Sequence, residues 1–142
     1  MEELEALWFV RVRSTPQTLF AAGLSSEGLS LPEDYLDFLN FVAPARINLG
    51  FRFCHADSHE EWEGQVSEFV DYSTRPQLLA DAVIQLGELR LLPIAADAGG
   101  NFVYLNLRPG NHAVVDQDYR TGTLSVIANS FSEFVRLLYV AE

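Results

Sequence analysis

The sequence predicts an α+β domain, and three observations lead there. A stretch near the start, SLPEDYLDFLNFV, spaces its apolar residues at the helical period. The second half changes to strand-like alternation, cut by the short turn sequences RPGN and RTG. A last stretch, SFSEFVRLL, returns to the helical period. N-terminal helices, then an antiparallel β-meander, then a C-terminal helix packed on the sheet make an α+β architecture. The 142 residues hold no repeat, low-complexity segment or linker, so a single domain over 1–142 is expected. A chain of that size buries roughly 70% of its unfolded surface, enough for one real core.

Thr15 and Pro16 suit a helix cap and first turn, and Gly23 suits a stop. The segment LWFVRVR before them reads equally as helix or strand, since residues 9–13 also alternate. In the next helix Ser30 and Glu33 fit a capping box, and Leu31, Tyr35, Phe38, Leu39 and Val42 form one apolar stripe that Pro44 ends. Residues 50–64 read as a short strand followed by an acidic loop. GQVSEFVDY alternates as a strand. RPQLLADAVIQLG reads as a helix from Pro76 to Gly87. Three strands follow at 101–107, 112–119 and 123–128. The final helix has Ser130 and Glu133 as its cap, with Phe131, Phe134, Val135 and Leu138 as its buried stripe.

Between LLPIAA and NFVYLNL lies DAGGN, an acid and two glycines. No helix follows within reach, so the helix N-terminus that lets a glycine loop hold phosphate is missing. The segment reads as a turn between two strands.

Charge narrows the function. Net charge is −11, with 20 acids, 9 arginines and no lysine. A P-loop, a Schiff base and a Ser–Lys dyad all need lysine and are excluded. Nucleic-acid binding depends on neutralising phosphates and is disfavoured. A basic protein partner suits this field best. Residues 1–71 carry 13 acids against 4 arginines, and Asp57, Glu60, Glu61, Glu63, Glu68 and Asp71 run without a basic residue between them. No apolar run approaches the roughly 20 residues of a membrane span. The acidic start MEELEALWFV lacks the basic region of an export signal, and the single Cys54 can form no internal disulfide. A cytoplasmic protein is expected.

Candidate chemistry is thin. Cys54, His55, Asp57, His59 and Glu63 are all metal-ligand types, and on a helix His55, His59 and Glu63 would share a face. The zinc-protease pattern needs Glu after the first His, where Ala56 stands. A solvated acidic loop with a Cys at a buried edge explains the segment as well. A lone Cys is commonly a small buried hydrophobe. Asp116 and Asp118 lie two apart on one strand face, suited to a solvent-facing surface or a partner contact. Trp62 among Glu60, Glu61 and Glu63 suits either burial or an interface anchor ringed by charge. The expected partner surface is Asp57, Glu60, Glu61, Trp62, Glu63, Asp116, Asp118 and Tyr119. No catalytic residue, cofactor or metal is assigned.

LPEDYLDFLNFV, GQVSEFVDY, LLPIAADAGGNFVYLNL, HAVVDQDY and SFSEFVRLL stand in an order and spacing that resembles the SUKH superfamily over about 31–138. This group includes domains similar to fungal regulators of cell-wall assembly and glucan synthesis. The chain departs from the usual pattern where Ala43-Pro44 replaces Asn-Gly and Leu105-Asn106 replaces Leu-Asp. The resemblance implies an α+β domain without catalytic residues. It also implies a protein-binding role: bacterial members are largely immunity proteins that neutralise a cognate toxin in the producing cell's cytoplasm, and fungal members are interaction hubs. An immunity protein acting on a basic toxin domain is the leading expectation, with a bacterial origin suggested by the all-arginine basic set. A regulatory adaptor of the same fold is the alternative, and a small metal-dependent enzyme using His55, Asp57 and His59 is the rival. Monomer and homodimer are both open.

Overall fold

The computed structural model describes residues 10–11, 28–43, 48–54, 60–70, 72, 77–118 and 120–140. In chain order these form β1 (Val10–Arg11), α1 (Glu33–Phe41), β2 (Val42–Ala43), β3 (Leu49–Cys54), β4 (Glu61–Val66), β5 (Glu68–Phe69), α2 (Gln77–Ala82), β6 (Ile84–Leu86), β7 (Leu89–Ala96), β8 (Phe102–Asn106), β9 (Val114–Gln117), β10 (Leu124–Ala128), α3 (Phe131–Leu137) and β11 (Tyr139–Val140). The fold is α+β. The expected helix with Thr15, Pro16 and Gly23 falls outside the described residues.

The main sheet runs β10-β9-β8-β7-β5, and β6 also pairs with β7. All of its pairings are antiparallel. β8 to β10 are therefore the expected three-strand meander, and β7 extends it by one strand. A smaller sheet, β11-β3-β4, is antiparallel too, and β1 pairs with β2. Val10–Arg11 is strand, and the rest of LWFVRVR lies outside the described residues.

One core unites the elements. Tyr35, Phe38 and Leu39 of α1 meet Phe131 and Phe134 of α3, with Leu49, Phe51 and Phe53 from the small sheet and Leu92, Ile94, Val103, Leu105, Val114 and Ile127 from the main sheet. The Tyr35 and Phe131 rings are 5.0 Å apart, edge to face. Phe51 and Phe134 are similarly placed at 5.5 Å. Such pairs add to the stabilisation that their buried area supplies. The strands' alternation sends Leu91, Tyr104 and Val115 into a second, smaller cluster.

Four local expectations are corrected. The first backbone bond at the start of α1 runs from Leu36 N to Pro32 O, so the helix starts too late for Ser30 to cap it; Ser30 Oγ instead lies 3.2 Å from His112 Nε2. Val42 belongs to β2 rather than the helical stripe. The helix expected up to Gly87 stops at Ala82, and Ile84–Leu86 turns back along β7. Pairing with Leu89–Leu91 outweighs the helical spacing there, and Gly87 supplies the turn with φ +60°. Finally, Glu61 and Glu63, expected in a loop, lie on β4, which pairs along its length with β3.

Candidate functional site

DAGGN is a turn between β7 and β8. Asp97 organises it: Oδ1 accepts the N–H groups of Gly99 (2.8 Å) and Asn101 (2.9 Å), and Oδ2 accepts from Asn101 Nδ2 at 2.9 Å. A side chain that folds back on the following backbone in this way replaces a missing ladder. Gly100 takes φ +88°. The turn after β9 is held alike. Asp118 Oδ1 accepts the Arg120 N–H at 3.0 Å, and the Arg120 Nε stands 3.6 Å from the same oxygen. Asp118 is only 9% exposed.

Alternate turns of a meander fall at the same end of the sheet. The turns at 97–101 and 118–122 are therefore neighbours, and the small sheet approaches them from one side. Between them lies a cleft of about 290 Å³. β4 lines it with Trp62, Glu63, Gly64 and Gln65, and β3 contributes Phe53. The main sheet supplies Asp97, Asn101, Phe102, Val103, Asp116, Gln117, Asp118 and Arg120. Glu63, Asp97, Asp116, Asp118 and Arg120 thus line one opening together with Phe53, Trp62 and Phe102.

The two stretches that the sequence offered as separate partner surfaces border this one cleft. Trp62 is half-buried, packed on the edge of the main core while also facing the opening. Val103 and Asp116 are direct cross-strand partners, so Asp116 shares the face of a buried valine at the place where the core ends. Glu60 and Glu61 are exposed beside the cleft without lining it. Asp57 and Tyr119 lie outside the described residues, as do His55 and His59 of the metal reading. Cys54 is exposed, which corrects the buried-edge expectation. Among the described residues no group of three His, Cys, Asp or Glu side chains is placed to hold a metal ion. Within the described lining the polar groups are carboxylates, amides and a guanidinium, suited to holding a cation or a polar chain by charge and hydrogen bonds.

Asp97, Gln65, Phe102 and Arg120 were missed from sequence. The signal for Asp97 was present, since a meander puts its turn beside Asp118. Nothing in the residues announced that β4 would arrive there.

Charge from this region reaches nearby phenols. The Tyr104 phenol is raised above its ordinary value, first by burial and then by the Asp116 carboxylate. Tyr139 is raised too, first by burial and then by Glu63, with Arg52 acting the other way. Arg52 is the cross-strand partner of Glu63 and sits 5.6 Å over the Tyr139 ring. It partly balances the acid on the outer face of the small sheet.

Compared with known proteins, residues 24–137 match the model of the SMI1 / KNR4 family (SUKH-1), a span that takes in the whole meander, α1 and α3. Neither the curated proteins nor the solved structures give a match. Among the described residues no helix is long and apolar enough to cross a membrane.

Proposed function

We propose a function from one premise: the chain belongs to the SMI1 / KNR4 family (SUKH-1). It is a non-enzymatic protein-binding module that acts as an immunity protein, neutralising a cognate toxin of a bacterial polymorphic toxin system in the cytoplasm. The partner is a basic protein domain, and the acidic cleft is the contact surface. The observation that carries this reading is the meeting of Trp62 and Glu63 with Asp116 and Asp118 at one concave place on a chain of net charge −11. Aromatic anchors supply affinity at such surfaces, and surrounding charge supplies steering and register.

The reading is tested by capturing partners of the tagged protein from lysate of its source organism at low and high salt. One stoichiometric basic protein, released by salt and lost when Glu63 and Asp116 are both changed to Arg, is the expected result. Several sub-stoichiometric partners indifferent to those changes would favour a regulatory adaptor instead.

A further inference from the structure

Where the chain crosses from one sheet to the other, a strand edge is left open among the described residues. β4 and β5 are one run interrupted at Ser67, whose N–H donates to the Ala96 carbonyl at 2.8 Å. Beyond that point β5 pairs with β7. Before it, β4 pairs with β3, and β4 ends the small sheet. Among the described residues no strand pairs with its other edge. The cleft begins where the two sheets part. It is lined by four consecutive residues of β4, Trp62 to Gln65. Consecutive strand residues point to opposite faces, so only an edge presents all four to one opening.

We propose that the cleft receives an extended, basic segment of the partner, which adds to the open edge of β4 as a further strand of the small sheet. This rests on the binding-module reading and specifies its partner contact. A strand edge offers backbone N–H and C=O groups at the repeat of another strand, which an extended chain satisfies and a helix does not. The sign of the occupant follows from the lining, where Asp97, Asp116 and Asp118 outnumber Arg120, while Glu63 at the rim is partly balanced by Arg52 on the outer face. Acids along an edge also discourage pairing with another acidic copy, while leaving the edge open to arginine- or lysine-bearing chains. Alternation then gives such a strand a basic row on the Trp62 face, toward Asp116 and Asp118, and a second row on the outer face of the small sheet beside Glu63.

The test uses a capped decapeptide of alternating arginine and valine, read by amide hydrogen exchange on the full chain. Exchange of outward-facing amides within 61–66 is expected to slow tenfold or more. β10, the terminal strand of the main sheet, has an exposed Val126 and no acid of its own, and its exchange should stay unchanged. Two further peptides, N-methylated at alternate residues in either register, should differ in affinity by about tenfold, because an added strand directs alternate N–H groups to the edge. Unchanged exchange in β4, equal protection of β10, or equal affinities of the two methylated peptides would each overturn strand addition. A basic lysate partner whose binding leaves β4 exchange unchanged would also overturn it, with the immunity reading intact. Protection of β4 by the peptide where the lysate yields no partner supports strand addition and removes the immunity reading.

Discussion

Asp34 and Ser132 stand 98 residues apart in the chain and are joined twice. Asp34 Oδ2 accepts the Ser132 N–H and the Ser132 Oγ–H, each at 2.8 Å. Ser132 is the second residue of α3, and its N–H is one of the donors that a helix start leaves without a partner. The next donor, Glu133 N, is taken by Ser130 Oγ at 3.1 Å. α3 therefore has one cap from its own sequence and one from α1. The two ends of the family pattern, LPEDY and SFSEF, are tied by a single carboxylate.

Asp34→Ala should therefore destabilise the fold more than an ordinary cap removal. Hydrogen bonds to a charged group contribute about 1.5–3 kcal/mol, and this substitution also frees α1 from α3. Ser130→Ala should cost about 1 kcal/mol. Urea denaturation of both variants, with unchanged m-values, makes the comparison. An Asp34→Ala loss no larger than that of Ser130→Ala would mean that the cross-chain cap adds nothing to stability.

Gly64 is needed for a steric reason. It pairs directly with Phe51 across β3 and β4, and the Phe51 ring occupies the space a Cβ would take. Phe51 is fully buried and packed on Phe134, so it has nowhere to go. Gly64→Ala should cost about 1–3 kcal/mol through overpacking, although alanine is ordinarily no worse than glycine in a strand. Combining it with Phe51→Leu should recover part of that loss. Strict additivity of the two changes in a double-mutant cycle would show that the ring and the Cβ do not compete.

These contacts indicate what a sequence can and cannot announce. The meander was legible because RPGN and RTG interrupt runs with a period of two, and α3 because Ser130 stands three residues before Glu133. β4 was hidden. Its exposed and inward-facing residues do alternate, from Glu61 and Trp62 to Gln65 and Val66, but Glu and Gly are poor strand formers, and pairing with β3 decides the matter. Residues 84–86 misled in the opposite direction: Leu79, Val83 and Leu86 fall at the helical spacing, although Ile84 and Leu86 are exposed on β6. The cleft itself depends on the sheet change at Ser67, a tertiary event with no local signature. Asp116 and Asp118 were visible as a pair, but their closeness to Trp62 was not.

Alkaline pH should unfold the protein through buried phenols. Tyr72 is buried and donates its hydroxyl to the Pro93 carbonyl at 2.7 Å. Burial pushes its phenol far above the ordinary value of 10.0, and Tyr104 moves in the same direction. The folded state thus favours the neutral form more strongly than the unfolded chain does. That contribution is complete below about pH 10 and is lost as pH rises from there toward the folded values. Denaturation midpoints measured from pH 8 to about pH 11.5 should be level at first and then fall. Tyr72→Phe should lower stability by about 1 kcal/mol at neutral pH and make the alkaline fall shallower. A wild-type midpoint that stays level through pH 11 would contradict this account.

The field at the cleft should matter more to association than net charge does. Glu88 tests this, because it stands in the turn before β7 while Asp97 follows the other end of that strand. Eight residues of strand separate them, roughly 26 Å, which is well beyond the screening length of about 8 Å at physiological ionic strength. Asp116→Asn and Glu88→Gln each remove one negative charge without a large change of volume. Asp116→Asn should slow association with a basic partner by about two- to fivefold at low salt and make the dependence on ionic strength shallower. Glu88→Gln should change the rate by less than about 1.5-fold. Stopped-flow association across a salt series reads both effects. Equal slowing by the two variants would assign the steering to the acidity of the whole chain and remove the cleft's special part in it.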